Sequence, residues 1–166
     1  MLKSYTVGTS AVVRLRAVQP DDEEFLYKVY ASTRADEMKL VPWDEAQKES
    51  FVRMQFTAQQ RHYAAYYPEA EHHLITLDDQ PIGRIYINRD EQEIKILDVT
   101  ILPEHRSAGV GTPLLKGIMA EAAETKRCVV IYVESHSPAL RLFERLGFSM
   151  VENDDVNALM RWCPAV

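Results

Sequence analysis

The apolar positions of the chain follow two spacings, and each spacing predicts a type of secondary structure. Asp78-Asp79-Gln80 lies between two alternating runs and is typical of a hairpin turn. The sequence therefore predicts a meander of paired strands in the middle of the chain and shorter strands towards both ends. The alternating or short continuous apolar runs that predict strands are residues 12–18, 72–77, 81–88, 93–102, 129–133, a stretch around Met150, and 157–162.

Apolar residues spaced three and four apart predict helices between these strands. The stripes start at Pro20, about Glu45, Val110 and Pro138. The second stripe extends to Tyr63. The segment 35–44 is ambiguous, because its apolar residues stand in a polar setting that Pro42 interrupts. Residues 62–68 form a connection rich in aromatic side chains, which either pack over the sheet or form a wall for a substrate.

The order of these elements predicts one α/β domain, with a mixed, mostly antiparallel sheet flanked by helices. We assign residues 11–166 to this domain and expect residues 1–10 to form an N-terminal tail outside it. A chain of 166 residues is long enough to bury a core without disulfides or metals. No internal repeat, linker or low-complexity tract divides it.

Composition limits the classes of partner. The chain has 19 Lys and Arg against 25 Asp and Glu, a net charge of −6, which argues against nucleic acid or an anionic membrane and mildly favours a cationic substrate. The longest apolar run, residues 128–133, is too short to span a membrane. No Cys and His cluster has zinc spacing, so we expect no metal. Cys128 and Cys163 suggest no disulfide framework, and we therefore expect a reduced, cytoplasmic protein.

The stretch Ile96–Thr112 has the pattern of a phosphate-binding turn. An apolar strand ends at Pro103, a polar turn follows, and Gly109-Val110-Gly111 opens a helix. Glycines let the backbone approach an anion, and the free N–H groups of the first helical turn point at it. The P-loop pattern fails because no Lys precedes Thr112, and a dinucleotide fingerprint requires a third glycine. An ordinary strand-to-helix turn with close packing remains an alternative.

Two motifs together resemble those of the GNAT N-acetyltransferase superfamily. The first is Arg-x-x-Gly-x-Gly, residues 106–111, after a strand that ends in Val-x-Ile-x-Pro, residues 99–103. The second, residues 136–148, is similar at the same spacing to the superfamily signature Asn-x-x-Ala-x-x-Leu-Tyr-x-x-x-Gly-Phe. One predicted helix and one strand lie between them, and the resemblance extends from about Val12 to Trp162.

The resemblance implies the GNAT fold and an enzyme that moves the acetyl group of acetyl-CoA directly to a primary amine of a small molecule or peptide. It implies that the first two helices line the acceptor cleft. The backbone of the strand before Pro103 is expected to pair with the pantetheine arm, and one N–H is expected to polarise the acyl carbonyl. The amides of residues 107–112 are expected to hold the pyrophosphate, and Arg106 either adds a charge-assisted contact or is a solvated side chain. The residues that the resemblance assigns to the cofactor are Val99, Ile101, Arg106, Ser107, Ala108, Gly109, Val110, Gly111, Thr112, His136 and Phe143.

Three positions qualify the resemblance. His136 stands where the superfamily has Asn, but it can still donate a hydrogen bond. Phe143 replaces a Tyr that protonates the departing thiolate in many members, so we expect a core residue with an edge toward the thioester, and water as the proton source. Ile131 stands where the branch that acetylates protein amino termini has an acid, which disfavours that branch.

The candidate catalytic carboxylates are Asp98 and Glu134. Asp98 stands alone in an apolar strand, so it is either paired with an arginine such as Arg84 or Arg89, or catalytic. Two alternatives to acetyl transfer stay open: a longer acyl-CoA donor, and a non-catalytic acyl-CoA-binding module. The expected partner is an amine substrate rather than nucleic acid or membrane, and a homodimer is a possible assembly.

Overall fold

The computed structural model describes residues 4–7, 11–106 and 108–166, with residues 4–7 described by their backbone alone. Within this part of the chain the strands form one sheet. The strands are β1 Ser4–Val7, β2 Ala11–Ala17, β3 Glu71–Leu77, β4 Gln80–Arg89, β5 Glu93–Ile101, β6 Cys128–Glu134, β7 Ser149–Asn153 and β8 Asn157–Trp162. Their order is β1-β2-β3-β4-β5-β6-β8-β7, and every neighbouring pair is antiparallel except β5 and β6. The mixed, mostly antiparallel sheet of the predicted fold is confirmed.

The helices start and stop where local chemistry favours it. The Asp44 carboxylate accepts a hydrogen bond from the Gln47 N–H at 2.8 Å and so caps the second helix. Gly147 ends the fourth with a φ of 99°, a conformation that glycine adopts readily. The helices are α1 Glu23–Lys39, α2 Glu45–Tyr66, α3 Gly111–Glu124 and α4 Ala139–Arg145, with 3₁₀ turns at Pro20–Asp22 and Pro103–His105.

The two faces of the sheet bury different cores. Alternation along β3 separates them: Leu74 packs with Leu26, Tyr30, Val52 and Phe56 of α1 and α2, while the next residue belongs to the larger core on the opposite face. That larger core joins the sheet to α3 and α4 through residues that include Ile75, Ile85, Ile96, Leu114, Ile131 and Phe143. The sheet therefore separates the side of α1 and α2 from the side of α3 and α4.

Two expected boundaries differ from the structure, and one segment that the sequence left ambiguous is assigned. Ser4–Val7 pair with β2 as β1, so this part of the expected tail belongs to the sheet, and the rest of residues 1–10 lies outside the described residues. The ambiguous segment is helical as far as Lys39. Of the expected aromatic connection, residues 62–68, the part up to Tyr66 is instead the end of α2, and Tyr67 follows the helix as its C-cap.

Cys128 and Cys163 form a disulfide, so the expectation of free thiols was wrong. Val129 pairs with Trp162 in the β6–β8 ladder, which brings the residues just before and just after this pair side by side. Cysteines 35 residues apart give no sign of such a register in the sequence. In the described part of the chain, no helix is both long enough and apolar enough to cross a membrane.

Candidate active site

β5 and β6 pair over their first halves only. Their parallel register starts at Glu93 with Cys128 and ends at Ile96 with Ile131. Past that point β5 still pairs with β4, and β6 still pairs with β8. Residues 97–101 and 132–134 therefore border a gap in the sheet, which we call the β5–β6 opening. On the side away from the gap, β5 pairs with β4 and β6 pairs with β8.

Backbone groups of β5 point into this opening. The Leu102 N–H donates to the Ile82 carbonyl at 2.8 Å, so Leu102 is directed toward β4. The Thr100 carbonyl is also on that side, because a Cβ on Gly83 of β4 would overlap its oxygen. Since the direction of the backbone groups alternates along a strand, Val99 and Ile101 point the other way, toward β6. These two residues present an unpaired strand edge to the opening.

Arg106 borders the end of the same edge. Its Nε donates to the Ile101 carbonyl at 2.9 Å, and its side chain is otherwise exposed. The guanidinium therefore lies at the carboxyl end of β5, between the strand and the glycine turn that follows. An anionic group in the turn would find a positive charge beside it.

The glycine turn connects β5 to α3. Gly109 has a φ of 77°, in the left-handed region, while Val110 is buried and fastens the turn to the core. Gly111 begins α3, and a Cβ there would meet only the Leu142 side chain at 3.7 Å, an ordinary contact. No side chain caps α3 at Val110, so its first N–H groups remain available to an anion.

The other predicted members of this turn are less informative. Ala108 is exposed and lies three residues before α3, and Thr112 is half-buried and is the second residue of α3. Ser107 lies outside the described residues. The turn thus offers mainly backbone groups, as the glycine pattern predicts.

A buried ion pair lies on the α1 and α2 side of the sheet. Arg84 of β4 is 1% exposed, and its Nε donates to Asp98 Oδ2 of β5 at 2.6 Å. Its Nη2 donates to Gln59 Oε1 of α2 at 2.5 Å, and the Thr100 hydroxyl donates to Asp98 Oδ1 at 3.0 Å. We call these residues, Arg84, Asp98, Gln59 and Thr100, the Arg84 cluster. Of the two alternatives for Asp98, the arginine pair is the one present.

A tyrosine and a histidine adjoin the Arg84 cluster. The Tyr63 hydroxyl of α2 donates to the Leu97 carbonyl at 3.1 Å. Burial, and then the negative charge of Asp98, raise the pKa of Tyr63 to about 12. Burial, and then the positive charge of Arg84, lower the pKa of His72 to about 3, so this imidazole is neutral at neutral pH.

Glu134 ends β6 on the same side of the sheet as Asp98. Its carboxylate is 68% exposed and lies 3.8 Å from Arg34 Nη1 of α1. Arg34 also contacts Glu37 at 3.2 Å and the Tyr30 hydroxyl at 3.4 Å. Glu134 is therefore an exposed carboxylate with one long ionic contact at the edge of the opening, whereas both oxygens of Asp98 accept hydrogen bonds.

The second motif packs against the opposite side of the opening. His136 is exposed in the turn between β6 and α4, and the Ser137 hydroxyl accepts a hydrogen bond from the Ala139 N–H at 3.2 Å. Phe143 is 3% exposed, and its ring meets Phe148 edge-on with centroids 5.3 Å apart. The core role expected of Phe143 is confirmed.

The fold brings the described members of the predicted site to one region, from the strand edge of β5 through the glycine turn, with Asp98 and Glu134 on the α1 and α2 side. Sequence reasoning missed the contributions of α2. Gln59 and Tyr63 are four residues apart, so they share one side of that helix. Two polar side chains on the side of α2 that faces the sheet could have indicated a role in the site. The sequence alone does not show which strand residues they contact.

Comparison with known proteins agrees with this geometry. The family model described as "Acetyltransferase (GNAT) family" matches residues 29–148. A curated N-alpha-acetyltransferase of Sulfurisphaera tokodaii is 33% identical over 60 residues, which are 34% of this chain and 36% of that protein. The match thus spans about a third of the curated relative's length.

Solved structures show the same fold over nearly the whole chain. A PaiA N-acetyltransferase of Thermoplasma acidophilum, solved in complex with coenzyme A, superposes with a TM-score of 0.68 at 18% identity and covers 93% of this chain and 99% of its own. The ribosomal-protein-S18-alanine N-acetyltransferase of Escherichia coli gives 0.62 at 14% identity, covering 93% and 95%. Identities this low establish similarity of fold.

Proposed function

Because the chain belongs to the GNAT acetyltransferase family, we propose that it is an acetyl-CoA-dependent N-acetyltransferase that moves the acetyl group directly to a primary amine of a small molecule or peptide. The observation that supports this most strongly is the β5–β6 opening, where Val99 and Ile101 have no partner strand on the side of β6. The glycine turn follows that edge directly in the chain. The extended pantetheine arm of acetyl-CoA fits the strand edge, and its diphosphate fits the glycine turn.

The residues present fit acetyl-CoA at both ends. An extended chain binds a free strand edge by adding to it as a further strand, and Val99 and Ile101 offer such an edge. The uncapped start of α3 suits a diphosphate, so we assign Gly109, Val110, Gly111 and Thr112 to it, together with Arg106, Ala108 and Ser107. When bound, acetyl-CoA supplies an acetyl group activated as a thioester. A backbone N–H of Val99 or Ile101 would then donate to the carbonyl oxygen, where negative charge develops.

We assign different roles to the two remaining coenzyme residues. His136 is exposed at the turn before α4, and its ring can donate a hydrogen bond to a coenzyme. Phe143 borders the core below the opening and has no proton to give. Protonation of the departing thiolate therefore falls to water, which is sufficient for a moderately basic thiolate.

The contacts of Asp98 and Glu134 favour different roles for the two carboxylates. Both oxygens of Asp98 already accept hydrogen bonds, from Arg84 and Thr100, so we assign it to fixing the site and the incoming ammonium. Glu134 has only a long contact to Arg34 and is open to solvent. We therefore propose Glu134 as the group that accepts the amine proton, directly or through water.

The acceptor is the least specified part of the proposal. The curated relative is named as an N-alpha-acetyltransferase, which points to a peptide amino terminus. Ile131, where that branch has an acid, is a buried apolar residue, which points to another amine. We also propose a cytoplasmic location, in a cell that tolerates intracellular disulfides, and a possible homodimer; fractionation and light scattering test these.

Release of free thiol from acetyl-CoA with a panel of amines tests the proposed function. The panel contains free amino acids, diamines and peptides with unblocked amino termini, and longer acyl-CoAs are tested as donors in parallel. We expect amine-dependent thiol release with acetyl-CoA. Binding of coenzyme A without thiol release for any amine would instead establish an acyl-CoA-binding module, an alternative that the missing phenol at Phe143 supports.

A further inference from the structure

The start of the β5–β6 opening coincides with a bulge in β5. The pairing of β4 with β5 shifts between Tyr86 and Ile87, which leaves Leu97 without a counterpart on β4. The pairing of β5 with β6 ends one residue earlier, at Ile96. A bulged residue leaves the ladder and changes the direction of the strand after it. The conformation of Leu97 therefore sets where the following backbone groups point.

The carbonyl of Leu97 is held by a side chain from α2. The Tyr63 hydroxyl donates to it at 3.1 Å. A half-buried carbonyl released from a ladder is stabilised by another donor, and Tyr63 supplies it. The Tyr63 ring packs on Tyr86 with centroids 4.9 Å apart, and Tyr86 packs on His72 at 4.4 Å. The donor is thus fixed by its own neighbours on β4 and β3.

The hydroxyl of Tyr63 serves as a permanent donor. Its pKa is raised to about 12, so it keeps its proton throughout the physiological range. A phenol has one proton, and here that proton is directed at Leu97. The contact accordingly suits a group that holds the backbone and not one that exchanges a proton with a substrate.

We propose that Tyr63 is a positioning residue for acetyl transfer, whose hydroxyl fixes the Leu97 bulge so that the Val99 N–H faces the acyl carbonyl in the β5–β6 opening. This inference rests on the proposed function of the opening. The diphosphate is assigned to the glycine turn, away from Leu97. Loss of the hydroxyl therefore lowers the rate of the chemical step more than it lowers coenzyme affinity.

The variant Tyr63→Phe removes only the hydroxyl. We expect kcat to fall about 10–100-fold, the scale of a misplacement of reacting groups by about 1 Å. The Kd of coenzyme A should change less than about threefold. The pH dependence of kcat should keep its shape, because no titrating group is lost. Tyr66→Phe, one turn further along α2 and 72% exposed, is the matched control and should retain the wild-type kcat.

Amide hydrogen exchange gives a readout that does not depend on turnover. In Tyr63→Phe we expect exchange to be about tenfold faster at the amides of Asp98 and Thr100, which lie opposite Tyr86 and Arg84 of β4, while exchange in β3 is unchanged. Wild-type kcat with wild-type protection would overturn the proposal, as would a kcat loss accompanied by uniformly faster exchange across the sheet. If the wild-type protein acetylates no amine, the proposed function fails. Unchanged protection of the Asp98 and Thr100 amides in Tyr63→Phe would separately refute the proposal that Tyr63 fixes the bulge.

Discussion

The glycine turn and the Arg84 cluster lie on the two sides of the same opening. Backbone groups form the first, and side chains form the second. The turn offers backbone N–H groups, a left-handed Gly109 and an uncapped helix start. The cluster consists of side chains, with Arg84 1% exposed between Asp98 and Gln59. A backbone site depends on the absence of side chains at a few positions, whereas a buried ionic cluster depends on every partner being present.

This difference predicts where the protein is fragile. Changes in the Arg84 cluster should act first on the stability of the fold, because they leave an uncompensated buried charge. A change at Gly111 of the glycine turn should act first on coenzyme binding, because an added Cβ there would meet only the Leu142 side chain, at an ordinary contact distance.

The largest effect is expected from Asp98→Asn. The substitution leaves the Arg84 guanidinium buried without its counter-ion, so the free energy of unfolding should fall by about 3–5 kcal/mol. Asp79→Asn is the matched control, since it breaks an exposed pair with Arg14 and should cost about 1 kcal/mol or less. Chemical denaturation measures both. An Asp98→Asn protein as stable as wild type would contradict the structural role of the ion pair.

Loss of the disulfide should have the next largest effect. Replacing Cys128 and Cys163 together with Ala opens a loop of 35 residues and should lower the free energy of unfolding by about 2–4 kcal/mol. The bridge lies at the end of β6 where β5 and β6 still pair, away from the opening. Coenzyme A affinity, measured on the folded protein, should therefore be unchanged. A large loss of affinity would show that the bridge also shapes the site.

His72 should make stability depend on pH. Its pKa falls from the ordinary 6.5 to about 3 on folding, so between these values the unfolded chain binds a proton that the folded protein does not. Stability therefore rises with pH across this window, by up to about 1.4 kcal/mol per pH unit, and is lost on acidification. His72→Phe keeps a ring beside Tyr86 and should flatten the slope relative to wild type. Equal slopes in both proteins would contradict a buried neutral imidazole.

Local chemistry made much of the fold predictable. Asp78 and Asp79 do form the hairpin turn, with φ of 49° and 69°, and Gly147 does end α4. These features depend on neighbouring residues only. The glycine turn was predictable for the same reason, because its function requires particular residue types in a continuous stretch of chain.

Features that depend on distant partners were not predictable in this way. Tyr63 and Leu97 are 34 residues apart, and the disulfide joins residues 35 apart. Both contacts follow from strand register and from how α2 lies on the sheet. The sequence offered Arg84 as one of two arginines for Asp98, but only the β4–β5 pairing, where Arg84 is opposite Thr100, selects it over Arg89. Arg89 pairs instead with Glu121 and Glu71.

The central claim is that the backbone of the glycine turn binds coenzyme A, and calorimetry on Gly111→Ala tests it most directly. An added Cβ makes an ordinary contact with Leu142, so the variant should fold with an unchanged or higher Tm, yet the methyl group should stand where the diphosphate approaches. Gly117→Ala, inside the same helix, is the matched control. We predict coenzyme A affinity at least about tenfold weaker for Gly111→Ala and unchanged for Gly117→Ala. Wild-type affinity in Gly111→Ala would contradict the account.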